Sequence, residues 1–176
     1  MKTALLYLFT CLSSLFVKGP AEWYTYQNAE MSIEFPKEPE LTSQAVPTAV
    51  GDIEMKIASF QGSKDGDINL AYVLISSNYP DSLINSGKKE MLSEFFRNSI
   101  DGAVANVKGK LLSEKEIMLN GFPGREVRVD YGDGLAIILF RMYLVGNRGY
   151  FIQTISETAK EGNESALRFQ NSFKLK

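Results

Sequence analysis

The chain predicts an α/β domain of the α+β kind: a twisted, mostly antiparallel sheet sandwiched between helices. Three observations carry that expectation. Short segments alternate apolar with polar residues and are separated by Gly-, Asn- and Asp-rich turns, as strands in a meander do. Residues 86–107 instead repeat their apolar side chains at three- and four-residue spacing, the period of an amphipathic helix. The run Ala136-Ile137-Ile138-Leu139-Phe140 is apolar throughout, which requires cover on both faces of a strand.

The elements follow in order. Trp23-Tyr24-Thr25-Tyr26 alternates as a short first strand, and Met31, Ile33 and Phe35 make a second that Pro36 ends. Residues 37–44 are Pro- and charge-rich and read as a connection, residues 45–50 extend weakly, and Gly51-Asp52 marks a hairpin turn. Ile53, Met55 and Ile57 alternate with Glu54 and Lys56. Residues 62–67 read as a mobile turn before a deeper strand over 68–76. In the helix over 86–107, Met91, Leu92, Phe95, Phe96, Ile100, Ala103, Val104 and Val107 form the stripe, with Ser86 as its N-cap. The second half is a meander: strands over 111–119, 125–131, 136–140 and 150–155, with turns at 120–124, 132–134 and 146–149. A short helix over 165–173 closes the chain and buries Ala166, Leu167, Phe169 and Phe173.

Residues 1–21 have the layout of a cleavable secretory signal: Lys2, an uncharged apolar run over 3–17, and a small-residue exit at Gly19-Pro20-Ala21. The run is shorter than the roughly 18 residues a membrane-spanning helix needs. Cleavage before Glu22 leaves one domain over 22–176, with no transmembrane segment, exported to the periplasm or beyond a bacterial cell envelope. Lipid anchoring through Cys11 and an uncleaved anchor are the alternatives.

Removing the leader takes Lys2 and Lys18 with it, leaving 17 cations against 21 acids, a net charge of −4. An acidic chain has no surplus to neutralise phosphates, so nucleic acid is not expected as a partner. Cys11 is the only cysteine and there is no histidine. Ser-His-Asp and Cys-His catalysis are thereby excluded, as are disulfides and zinc-thiolate sites within 22–176. No metal or other cofactor is expected.

Three segments together resemble the domain family of the photosystem II extrinsic protein PsbP and the nuclear-transport factor Mog1. They are residues 23–36, residues 120–127 (NGFPGREV), and residues 141–150 (RMYLVGNRGY) with the terminal 169–175 (FQNSFKL). The resemblance spans about residues 22–176. It implies an α/β/α sandwich and a non-catalytic binding or assembly role, and carries no residue-level function.

Five charged residues are the candidate binding set. Arg125 leaves the turn of NGFPGREV and could meet an anionic group, although hairpin chemistry alone accounts for that motif. Glu126, Arg128, Asp130 and Arg141 lie at period two on neighbouring strands, where they could line a polar pocket or form a cross-strand ladder of ion pairs. The segment Lys64-Asp65-Gly66-Asp67 looks like a calcium loop but lacks the further oxygen ligands. Trp23, Tyr24 and Tyr26 could stack on a carbohydrate or peptide, or pack the first strand. The functional expectation is an exported, non-enzymatic module with a protein partner in the envelope. Two alternatives stand beside it: a carboxylate-dependent hydrolase, with Glu126 and Asp130 as the nominal acids plus a third, and a carrier of a small hydrophobic ligand between the long helix and the sheet.

Overall fold

The computed structural model describes residues 22–48 and 51–176. The leader, with its proposed cleavage site and Cys11, lies outside the described residues, as do residues 49 and 50. The fold is α+β, built on two antiparallel sheets. The larger has strand order β3-β4-β5-β9-β8-β7-β6, from β3 (Glu40–Thr48), β4 (Gly51–Phe60), β5 (Ala71–Asn78), β6 (Lys110–Leu119), β7 (Phe122–Tyr131), β8 (Ala136–Val145) and β9 (Arg148–Glu157). The smaller pairs β1 (Tyr24–Gln27) and β10 (Lys174–Leu175) on either side of β2 (Met31–Phe35).

The alternation of β8 sorts the core. Ile138, Phe140, Met142 and Leu144 point to one face, where Phe95, Phe96 and Ile100 of helix α1 (Lys89–Asn106) pack with Val127 and Val129 of β7. Tyr143 points to the other, joining Tyr72, Leu74, Tyr150 and Ile152 under Met31, Ile33 and Phe35 of β2 and Phe169 of helix α2 (Glu164–Ser172). The strand read as covered on both sides is so covered. Its second cover is not a matching helix, however. At roughly 1.5 Å per residue the nine residues of α2 reach only about 14 Å, so the small sheet supplies the rest.

Five other expectations give way to tertiary contacts. Ser86 does not cap α1: its Oγ accepts from Gly146 N, the helix begins at Lys89, and its N-cap Lys88 makes no side-chain cap bond. Residues 62–67 are not a loose turn. Gly62–Asp65 is a 3-10 turn, after which Asp67 Oδ1 accepts from Tyr72 OH at 2.7 Å and from Asn69 N at 2.8 Å. Ile68 is exposed and Asn69 buried, held by Tyr72, Ser156 and Asn163, so β5 starts only at Ala71. In α2, Leu167 is 43% exposed and Gln170 takes a buried place, its amide donating to Leu139 O and Ile152 O across β8 and β9. Finally, much of the predicted connection over 37–44 is strand: β3 starts at Glu40.

Candidate functional site

The charged candidates are brought into pairs rather than into one site. NGFPGREV is a hairpin and a strand. Asn120 and Gly121 take φ of 49° and 85°, the left-handed pair that a two-residue hairpin turn demands, and β7 begins directly at Phe122. Gly124 lies against Tyr143, where an added Cβ would meet Met142 O and the Tyr143 ring, each at 2.5 Å. The next residue, Arg125, points to the α1 face. Its guanidinium sits 4.5 Å above the Phe96 ring and pairs with Glu114 at 3.2 Å and Glu116 at 2.9 Å. Glu114 also receives Arg97 of α1 at 2.9 Å, so one carboxylate ties helix to edge strand. The Arg125 side chain is only 15% exposed and wholly engaged within the chain.

Glu126, Arg128 and Asp130 alternate with Arg125 and occupy the opposite face. Arg141 Nε donates to Glu126 Oε2 at 2.7 Å, while its Nη1 donates to Asn171 Oδ1 at 2.8 Å at the end of α2. Arg128 grips Glu161 in a two-bond fork at 2.5 and 2.7 Å, a partner 33 positions away that strand pairing could not reveal. Those bonds raise the Arg128 pKa above its ordinary value. Asp130 Oδ1 accepts from Gly134 N at 2.8 Å and closes the β7–β8 turn. The sheet therefore separates Arg125 from the other four, and Glu126 and Asp130 serve different local structures. Burial raises the pKa of neighbouring Tyr143.

Two of the grooves among the described residues border these elements. One, of about 390 Å³, runs between the start of α1 and the β6–β7 hairpin, lined by Lys89, Leu92, Phe96, Met118, Pro123 and Arg125. The other, of about 320 Å³, lies between the small sheet and β3–β5, lined by Tyr26, Met31, Leu41, Ser43, Lys56 and Leu74 among others. Between α1 and the sheet the space is filled by Phe95, Phe96 and Ile100. Among the described residues no group of three or more His, Cys, Asp or Glu could hold a metal ion, and no helix is long and apolar enough to cross a membrane.

The second groove runs beside a feature that the sequence did not announce. Among the described residues β3 is an edge strand, paired with β4 alone, from Glu40↔Ser59 to Thr48↔Gly51 without a bulge. Pro47 has no N–H, so its nitrogen belongs on the side away from β4. That parity points the backbone groups of Leu41, Ser43 and Ala45 outward. No hydrogen bond reaches those three outward amides among the described residues. Prolines at 39 and 47 bracket the stretch, and Leu41 is 59% exposed beside the groove. The available signal was the bracketing prolines around a Thr- and Val-containing stretch with a single charge, Glu40.

Fold and site together define an α+β domain with internally paired charges and, among the described residues, a sheet edge at β3 whose outward amides at 41, 43 and 45 donate to no partner. No family model matches the chain, and no curated protein does. Among solved structures it is similar to the solution structure of cyanobacterial PsbP (CyanoP) from Synechocystis sp. PCC 6803. Identity is 14% and the TM-score 0.48, with 94% of this chain and 99% of that chain covered. That neighbour belongs to the family whose pattern residues 22–176 resemble.

Proposed function

We propose that the chain is an exported, non-enzymatic binding or assembly module of a bacterial cell envelope, and that it engages a protein partner through its surface. One observation carries the reading: the charged candidates are satisfied within the fold, whereas β3 leaves backbone donors and acceptors unspent beside a groove. Strand addition at such an edge takes affinity from main-chain bonds and selectivity from alternate side chains. Arg125, Glu126, Arg128, Asp130 and Arg141 then hold the sheet and its covers in place. The hydrolase alternative would need two acids facing one another across a cleft, and Glu126 and Asp130 are committed to Arg141 and to a turn. The secretory-signal pattern of residues 1–21 supports export.

Two measurements test the proposal. Residues 1–25 fused to a reporter active only outside the cytoplasm should confer activity on the cell. The full chain, expressed and purified from envelope, should capture an interactor that Ser43→Pro fails to capture. Cytoplasmic retention would overturn the export part, and capture indifferent to position 43 would overturn the edge.

A further inference from the structure

We infer that the β3 edge pairs with the β3 edge of a second copy of this chain, antiparallel about a two-fold axis at Ser43. This rests on the binding reading above and names the partner. The register follows from the outward parity. An antiparallel pair forms its ladder between residues of the same parity, so Leu41, Ser43 and Ala45 must face their odd-numbered counterparts. Centring on Ser43 sets Leu41 opposite Ala45 of the other copy, Ser43 opposite Ser43, and Ala45 opposite Leu41. All outward amides then find carbonyls. Centring on Gln44 would set Leu41 opposite Pro47 and lose a donor at each end.

Side chains agree with the Ser43 centre. Leu41, the large exposed residue of the edge, meets the small Ala45 on the face that carries the groove. On the other face Glu40 meets Val46, and Thr42 meets Gln44, so no like charges oppose. Glu40 is the only charge between the bracketing prolines, and it lies off the axis. The prolines also limit the ladder: Pro39 falls opposite Pro47, where neither can donate, so pairing stops after one short block instead of spreading along the sheet. The interface is isologous and closes on itself as a dimer with one continuous sheet.

The test is the mass of the protein purified after expression of the full chain, by light scattering and native mass spectrometry across concentration. A dimer is expected up to about 100 µM, with Ser43→Pro weakening it at least about tenfold and retaining the wild-type circular dichroism. Should that variant fail to fold, Ser43→Asp sets two carboxylates face to face and is expected to be monomeric. Ser43→Cys should cross-link two chains under oxidation, because residues directly opposite on a ladder lie about 5.5 Å apart at Cα, within disulfide reach. Gln44→Cys should not. A monomer at every concentration, or cross-linking at 44 but not 43, overturns the inference. A monomer whose partner capture still depends on Ser43 overturns self-pairing alone, and loss of both removes the binding reading as well.

Discussion

At one edge of the large sheet, β6 carries Lys110, Glu114, Lys115 and Glu116 and a bulge between Leu111 and Ser113. At the other, β3 carries a single charge, Glu40, at its first residue, and its register with β4 runs unbroken. Both strands are exposed along most of their length. β6 uses the devices that keep sheets from pairing edge to edge, and Arg125 and Arg97 further tie its Glu114 to β7 and α1. β3 uses only a proline at each end. The same hazard is suppressed along one edge and merely delimited along the other, and an edge left open inside boundaries is what a strand-pairing surface requires.

Raising the pH should erase the contrast altogether. Tyr72, Tyr79, Tyr143 and Tyr150 are held above their ordinary pKa of 10.0, chiefly by burial. An unfolded tyrosine ionises near 10 while these stay protonated in the fold. Their contribution is therefore fully present below about pH 10 and is lost as the pH climbs past it. Circular dichroism and phenolate absorbance should change together as both edges melt. Phenolate appearing from these four in an intact fold would contradict the burial argument.

Proline scanning of β3 sharpens the comparison next. Thr42→Pro removes an inward donor to β4 and should cost about 2–3 kcal/mol in urea unfolding, whereas Ser43→Pro should cost about 1 kcal/mol or less. Equal costs would mean the outward parity is misassigned. At β6, Arg125→Ala should cost about 1–3 kcal/mol, since it uncovers Phe96 and strips Glu114 of one of its two arginine partners. Arg125→Lys should recover only part, because an ammonium cannot serve both carboxylates and lie flat on the ring. Smallest in stability is Lys115→Thr with Glu116→Thr, expected within about 0.5 kcal/mol. Light scattering should nevertheless show new self-association, since the edge has lost two of its charges. Unchanged scattering would mean the bulge alone guards β6.

What could be read from the sequence tracks burial. Met31, Ile33 and Phe35 of β2, the continuous run in β8 and the stripe of α1 each write one buried face into their spacing, and each sits where that spacing says. β3 has no fully buried residue, so its pattern carries no period and it passes for a connection. The candidate site was illegible for that reason. Ser86 misleads differently. It has the local chemistry of a cap, but its hydroxyl is claimed by Gly146 of the β8–β9 turn, distant in sequence.

Periodicity, turn residues and the absence of histidine were enough to set the class of fold, most of its strands, its long helix and the chemistries closed to it. These depend on nearest neighbours along the chain or on composition, which a linear text records in full. Which charges neutralise one another, that Arg128 meets Glu161, and that β3 ends the sheet with donors unspent were decided only by assembly. Such properties belong to pairs of segments far apart in the chain, and an edge exists only once every other strand has found its place.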